Sequence, residues 1–204
     1  MRYSVRPSVF PVALLEAAEA MRRIRGHAEQ WHVDVDAIAT IGFSAGGHLA
    51  ANLATSTSDD VLALHGYDPD TVRPNGLMLA YPVITSGKFA HHGSFNALLG
   101  KRKNDQEALD SVSIEKHIDA KTPPIFVWHT VTDDCVPYEN TLMLVDACKK
   151  AGVSVEAHLF PQGGHGLALG TAETAWKGTD GIEECIQIWP TMAIEWMKRT
   201  FVRR

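Results

Sequence analysis

The stretch IATIGFSAGGHLA, residues 38–50, decides the fold. Its opening IATIGF is a short, mostly apolar run, which is typical of a buried parallel strand. The motif Gly42-Phe43-Ser44-Ala45-Gly46 comes next, and a helical pattern continues over residues 47–55. A G-x-S-x-G motif between a strand and a helix lifts the serine hydroxyl clear of the sheet, so Ser44 is the candidate nucleophile. The alternative is a glycine-rich turn that contains a serine by chance.

Three further apolar runs have the character of strands: LMLAYPV (77–83), IFVWHT (125–130) and VSVEAHLF (153–160). Amphipathic stretches around residues 14–24 and 142–148 predict helices that cover the sheet, and a last helix carries residues 186–201. This alternation predicts one α/β domain over residues 1–204, with a mostly parallel, doubly wound sheet and helices on both faces. The polar segment 85–121 shows only weak periodicity and predicts a lid-like insertion over the site.

Acids and a histidine follow two of the predicted strands. IFVWHT leads into Val-Thr-Asp133-Asp134-Cys-Val-Pro, and VSVEAHLF leads into Pro-Gln-Gly-Gly-His165-Gly. Because open α/β sheets build their sites at the carboxyl ends of the strands, these side chains are expected near Ser44. A serine needs a base, and the base needs an orienting acid, so His165 is the candidate base. The residues alone do not separate Asp133 from Asp134 as the acid.

Two other features of the motif region bear on the chemistry. The amide of Ala45, at the start of the following helix, can donate to an oxyanion. His48 lies within that helix and His129 within a strand, so both are assigned to packing or hydrogen bonding rather than to catalysis.

Composition excludes several classes of function. The net charge of -5 and the lack of a Lys/Arg cluster disfavour nucleic acid as a partner. The three cysteines have no zinc-type spacing, and no phosphate-binding or dinucleotide motif occurs, so no metal and no cofactor is expected. With no long apolar run and no secretory leader, the expectation is a cytoplasmic protein with reduced thiols and no membrane contact.

Three segments together resemble a known family: GFSAGGHLAANLA (42–54), VTDDCVP (131–137) and FPQGGHGLAL (160–169). They are similar to α/β-hydrolase serine esterases of the acetyl esterase, xylan esterase and xylanase-associated type. The resemblance implies an α/β-hydrolase fold and a small-molecule ester substrate, with acetylated sugars as the expected class. It also implies that the acid is the first residue of a D-x-x-V-P turn, which is Asp133, and that the histidine is His165.

The sequence departs from this family before Ser44. The family carries an H-G-G loop that forms the second half of the oxyanion hole, and no such motif occurs here. By resemblance, residues 3–5 are expected to form a strand near the fourth strand of the family's fold, so an N-terminally truncated domain is expected. An unpaired sheet edge invites pairing, which predicts a homo-oligomer or a rearranged N-terminal segment. Loss of one oxyanion donor costs about a hundredfold to a thousandfold in rate, so activity is expected to be weak.

The sequence leaves three possible functions for this chain. The first is an esterase on short-chain, chiefly acetyl, esters that forms an acyl-enzyme through Ser44, His165 and Asp133. The second is a serine peptidase of the oligopeptidase type, which is disfavoured because no propeller-blade repeats are present. The third is a hydrolase domain that folds but is weak or inactive, and its support is the missing H-G-G loop.

Overall fold

Four parallel strands form the sheet at the centre of the molecule. The structure, a computed structural model, describes residues 1–5 and 7–202. The strands are β1 (Ala39–Phe43), β2 (Gly76–Ala80), β3 (Ile125–Thr130) and β4 (Val155–Phe160), and their order in the sheet equals their order in the chain. Each parallel connection must therefore cross over the sheet, and each carries helices. The predicted parallel α/β sheet is confirmed.

Helices cover both faces of this sheet, as predicted. In chain order they are α1 (Val12–Gly26), α2 (Ala28–Trp31), α3 (Ala45–Ala54), α4 (Asp59–Leu64), α5 (Pro69–Val72), α6 (His92–Leu99), α7 (Gln106–Ser111), α8 (Glu139–Ala151) and α9 (Trp189–Phe201). Successive strand side chains point to opposite faces. Val127 accordingly packs with α3 and α8, through Ala51 and Leu144. Phe126 and Trp128 instead pack with α9, through Trp196 and its neighbours.

The N-terminal segment does not form the strand that the resemblance implies. Residues 3–5 are irregular, and Ser4 donates from its backbone N–H and its hydroxyl to the Glu16 carboxylate at 2.6 Å each. A strand needs a neighbouring strand for its backbone hydrogen bonds, whereas this segment hydrogen-bonds to a side chain of α1. The prediction of a strand over residues 3–5 is therefore wrong. The following helix α1 packs on α3 and on Ile38 rather than directly on the sheet.

The strand that carries the nucleophile motif lies at one edge of the sheet. Within the described residues, β1 pairs only with β2, and Ile41 in its middle is 46% exposed. Unpaired backbone groups and an exposed apolar side chain are features of a surface that can pair with another chain. Homo-oligomer formation through this edge stays a prediction.

The insertion at residues 85–121 contains more regular structure than its weak periodicity indicates. It forms α6 and α7, and their N-termini are capped by the side chains of His91 and Asp105, respectively. Phe95 of α6 and Val112 pack with Val83 in a buried apolar cluster. Caps and tertiary packing stabilise helices too short to persist alone, which is why periodicity missed them. The insertion is a packed part of the domain, and its role as a lid stays a prediction.

Candidate active site

Ser44 occupies the sharp turn between β1 and α3. Its φ of 53° and ψ of -121° place a non-glycine residue in a strained conformation, which the surrounding hydrogen bonds hold. Its backbone N–H donates to the carbonyl of Ala80 at 3.0 Å, and its own carbonyl accepts from Gly47 at 2.9 Å. A Cβ on Gly42 would lie 2.3 Å from the carbonyl oxygen of Gly46, so strand and helix meet this closely only because position 42 is a glycine.

His165 links this serine to a carboxylate. Its Nε2 lies 2.7 Å from Oγ of Ser44, and its Nδ1 lies 2.7 Å from Oδ2 of Asp133. Because an ionised carboxylate only accepts hydrogen bonds, Nδ1 carries the hydrogen and Nε2 is free to accept the serine proton. The structure thus brings together the three residues that the sequence singled out, from the turn after β1 and the loops after β3 and β4.

The two adjacent acids, Asp133 and Asp134, have different environments and different contacts with His165. The side chain of Asp133 is fully buried, and its Oδ1 accepts from the amides of Cys135 at 2.9 Å and Val136 at 2.8 Å. Asp134 is exposed, and its Oδ1 accepts from the backbone N–H of His165 at 3.3 Å. Asp133 therefore contacts the imidazole ring, while Asp134 helps to hold the loop that carries it.

Several hydrogen bonds keep the Asp133 carboxyl ionised. Burial alone raises its pKa, but hydrogen bonds from His129 and His165 and from the two amides outweigh burial and hold the pKa below its usual range. A permanently charged Asp133 can stabilise an imidazolium when His165 takes up a proton.

Two further residues, His129 and Tyr81, contact the site, although the sequence analysis assigned neither of them to it. Nε2 of His129, fully buried in β3, lies 3.2 Å from Oδ2 of Asp133. His129 lies four residues before Asp133 in the sequence, and this spacing could have indicated that the two side chains are in contact. The ring of Tyr81 lies edge-on against His165 with centroids 5.0 Å apart, and its hydroxyl accepts from the amide of Ala168 at 3.1 Å. Burial raises the pKa of the Tyr81 hydroxyl, so it stays protonated.

The residue after the nucleophile supplies a hydrogen-bond donor. Ala45 is the first residue of α3, so its N–H has no acceptor within the helix. The amides of Gly47 and His48 already donate to the carbonyl of Ser44. The amide of Ala45, at the positive end of the helix dipole, is thus available to a developing oxyanion. His48 itself bonds to the carbonyl of Val112 at 2.8 Å, which is the structural role expected from the sequence.

A mainly apolar cavity of about 420 Å³ lies beside Ala45. Its walls come from the N-terminal segment, the first half of α3, and α6, and its apolar lining includes Phe10, Leu14, Ala45, Leu49, Ala97 and Leu98. This volume falls in the range of about 300–1,000 Å³ that is usual for small-molecule sites. Ala45 is among the lining residues, whereas Ser44, Asp133 and His165 are not.

Residues 1–5 and 7–202 contain no candidate metal site and no helix that could span a membrane. Their His, Cys, Asp and Glu side chains form no group of three that could bind a metal ion. Over the same residues, no helix combines the length and apolar character needed to cross a lipid bilayer.

The chain matches a known protein family and is similar to several known proteins. A family model named BD-FAE matches residues 2–148. Endo-1,4-beta-xylanase B of Butyrivibrio fibrisolvens is 35% identical over 167 residues, which are 81% of this chain and 26% of that protein. The acetylxylan esterase of Xylanibacter ruminicola is 29% identical over 160 residues, which are 76% of this chain and 31% of that protein. The chain thus spans about a third or less of the length of these two relatives.

Two solved structures of hydrolases have a fold similar to that of this chain. The acetyl ester-xyloside bifunctional hydrolase from Caldicellulosiruptor lactoaceticus matches with a TM-score of 0.80 and 36% identity, over 97% of this chain and 69% of that one. The carboxylesterase Cest-2923 from Lactobacillus plantarum matches with a TM-score of 0.78 and 30% identity, over 94% and 69% of the two chains.

Fold and comparisons together define an α/β-hydrolase domain that is similar to esterases. Within that superfamily, the chain belongs to the BD-FAE family. The resemblance inferred from the sequence is confirmed at this level.

Proposed function

We propose that this domain hydrolyses short-chain acyl esters, with Ser44 as nucleophile, His165 as base and Asp133 as orienting acid. The observation that carries the proposal is the continuous hydrogen-bonded path from Oγ of Ser44 through both ring nitrogens of His165 to Oδ2 of Asp133. Nucleophile, base and orienter within hydrogen-bond reach are the arrangement that activates a serine hydroxyl.

Acylation begins when Oγ of Ser44 attacks the ester carbonyl and its proton moves to Nε2 of His165. The carbonyl oxygen becomes an oxyanion, which the amide of Ala45 stabilises. His165 then donates the proton to the leaving alcohol oxygen as the C–O bond breaks. Asp133 stays ionised throughout and stabilises the imidazolium.

Deacylation repeats these steps with water. His165 removes a proton from a water molecule, the resulting hydroxide attacks the acyl-enzyme, and Oγ of Ser44 leaves with the proton from Nε2. The carboxylic acid is released and the serine is regenerated.

The substrate proposal rests on two supports. The relatives include an acetylxylan esterase and an acetyl ester-xyloside hydrolase, so acetyl esters of carbohydrates are the first class to test. The cavity beside Ala45 is apolar and suits an acyl chain better than a sugar. We therefore place the acyl group in this cavity and the alcohol on the open side, near His165.

The test is hydrolysis of p-nitrophenyl acetate and p-nitrophenyl octanoate by the purified chain, with Ser44→Ala and His165→Ala as controls. We expect turnover of acetate that both substitutions abolish. A fluorophosphonate probe, which reacts only with activated serines, should label the native chain and not Ser44→Ala. A folded protein that neither turns over ester nor takes the probe would contradict the proposal and identify an inactive hydrolase domain.

A further inference from the structure

A second histidine shares the carboxylate of the catalytic triad. Oδ2 of Asp133 lies 2.7 Å from Nδ1 of His165 and 3.2 Å from Nε2 of His129. His129 and the Asp133 side chain are both fully buried, so no bulk solvent reaches this contact. The proposed mechanism uses only one of the two imidazole rings that meet at this oxygen.

The partners of His129 determine which of its nitrogens carries a hydrogen. Its Nε2 also lies 3.0 Å from the carbonyl oxygen of Val136, which can only accept a hydrogen bond. Nε2 must therefore carry the hydrogen and donate it in a forked bond to Asp133 and Val136. Nδ1 lies 2.9 Å from the hydroxyl of Thr141, which can donate to it. The ring is thus fully hydrogen-bonded in its neutral form.

These contacts fix the orientation of the Asp133 carboxylate. Two backbone amides bind Oδ1, and His129 binds Oδ2, the oxygen that also contacts His165. The second contact of His129, to the carbonyl of Val136, holds the turn that contains Asp133 against the end of β3. The carboxylate therefore cannot rotate without breaking several hydrogen bonds, and its own buried oxygens would then lose their donors, which is costly.

We infer that His129 is a positioning residue for the proposed reaction. Its Nε2–H holds Oδ2 of Asp133 toward His165 and takes up part of the negative charge of that oxygen. The inference rests on the proposed triad. A carboxylate oxygen that accepts from two donors shares its negative charge between them, so it stabilises the imidazolium of His165 less than an oxygen bound to His165 alone. His129 thus takes up part of the negative charge of Asp133 that would otherwise act on the ring of His165 alone.

Two other titratable groups near His165, Asp134 and Tyr81, must be held constant in a test. Asp134 faces it from the same turn as Asp133, and Tyr81 faces it from the end of β2. Neither contacts His129 in the hydrogen bonds of the site. Substitutions at position 129 therefore leave these two groups in place.

The experiment compares His129→Gln, His129→Phe and Thr141→Val. Glutamine can keep an N–H donor near the position of Nε2, phenylalanine fills the space without a donor, and Thr141→Val removes only the bond on the far side of the ring. In His129→Phe we expect kcat to fall by about tenfold to a hundredfold with KM nearly unchanged, well short of the roughly 10⁴-fold loss when the triad acid is replaced by its amide. The acidic limb of the kcat/KM profile should move to higher pH. His129→Gln should restore most of the native kcat and pH profile. Thr141→Val should keep both, although its free energy of unfolding should fall because Nδ1 of His129 loses its partner.

A measurement on catalytically silent protein separates this inference from the proposed function. In the Ser44→Ala background, NMR titration reports the pKa of His165 without turnover, and long-range ¹H–¹⁵N spectra report the tautomer of His129. We expect an Nε2–H tautomer for His129 and a higher His165 pKa in His129→Phe than with His129 present. A His129 with its hydrogen on Nδ1, or a folded His129→Phe with an unchanged His165 titration, would overturn the inference even if the esterase activity is established. If no variant turns over ester but these NMR results hold, the proposed function fails, while the hold of His129 on Asp133 and its effect on His165 stand.

Discussion

Nδ1 of His165 lies 2.7 Å from Oδ2 of Asp133, although 32 positions separate the two residues in the chain. The loops after β3 and β4 bring them together because these strands are neighbours in the sheet and parallel, so both end at the same edge. Asp134, adjacent in sequence, contacts only the backbone of His165. This difference gives the two acids different expected effects on activity.

We expect Asp133→Asn to lower kcat by about 10⁴-fold, because an amide cannot stabilise the imidazolium and favours the wrong tautomer of His165. Asp134→Asn is the matched control and should lower kcat by less than about tenfold, since an amide oxygen can still accept from the His165 backbone. The measurement is p-nitrophenyl acetate kinetics with thermal unfolding as a check on folding. Equal losses in the two variants would mean that Asp133 has no special role.

The cavity beside Ala45 should control acyl-chain length. Ala97 of α6 lines it, and Ala97→Leu should fill part of its volume. We expect the ratio of kcat/KM for p-nitrophenyl hexanoate to that for acetate to fall by about tenfold or more. Asn96→Leu adds the same side chain on the exposed side of α6 and should leave this ratio unchanged. An unchanged ratio in Ala97→Leu would place the acyl group elsewhere.

The close approach of β1 and α3 should make position 42 intolerant of any side chain. In Gly42→Ala the new Cβ would lie 2.3 Å from a backbone oxygen, so the turn must shift, and we expect the free energy of unfolding to fall by about 1–3 kcal/mol. Gly26, the last residue of α1, has open space around its Cβ position. Gly26→Ala should therefore be neutral or stabilising by about 0.5–1 kcal/mol. Urea denaturation of both variants tests this contrast, and a native-like Gly42→Ala would refute the close approach.

The buried cysteine should resist thiol reagents. Burial raises the pKa of Cys148 to about 11 from its ordinary value of 9.0. At pH 8 we expect iodoacetamide to label the exposed Cys135 and to label Cys148 only after unfolding. Labelled positions are read by peptide mass spectrometry. Rapid labelling of Cys148 in the native chain would show that α8 opens readily.

The same pKa predicts a loss of stability in alkali. The unfolded chain loses the Cys148 proton as pH passes about 9, while the folded chain keeps it until about 11. The free energy of unfolding should therefore decrease across this interval. Cys148→Ala removes the titrating group, so its stability should depend less on pH there than that of the native chain. Parallel slopes would contradict the prediction.

Local patterns predicted the strands well because each is a short apolar run bounded by turn residues, as in IFVWHT before Asp133. They failed for residues 3–5, since pairing depends on a neighbour that a local pattern does not contain. They also missed α6 and α7, whose stability comes from caps and packing rather than from periodicity.

The sequence by itself determined the parallel α/β class, the strand-to-helix turn at Ser44 and the chain order of serine, acid and histidine, because each of these is written in contiguous residues. The family resemblance indicated Asp133 as the acid, and the tertiary structure shows that Asp133 rather than Asp134 contacts the His165 ring. Only the tertiary structure decided that His129 and Tyr81 adjoin them. Those outcomes depend on distances between loops at one edge of the sheet. Strand register and the packing of buried side chains set such distances, and neither is encoded in any single segment.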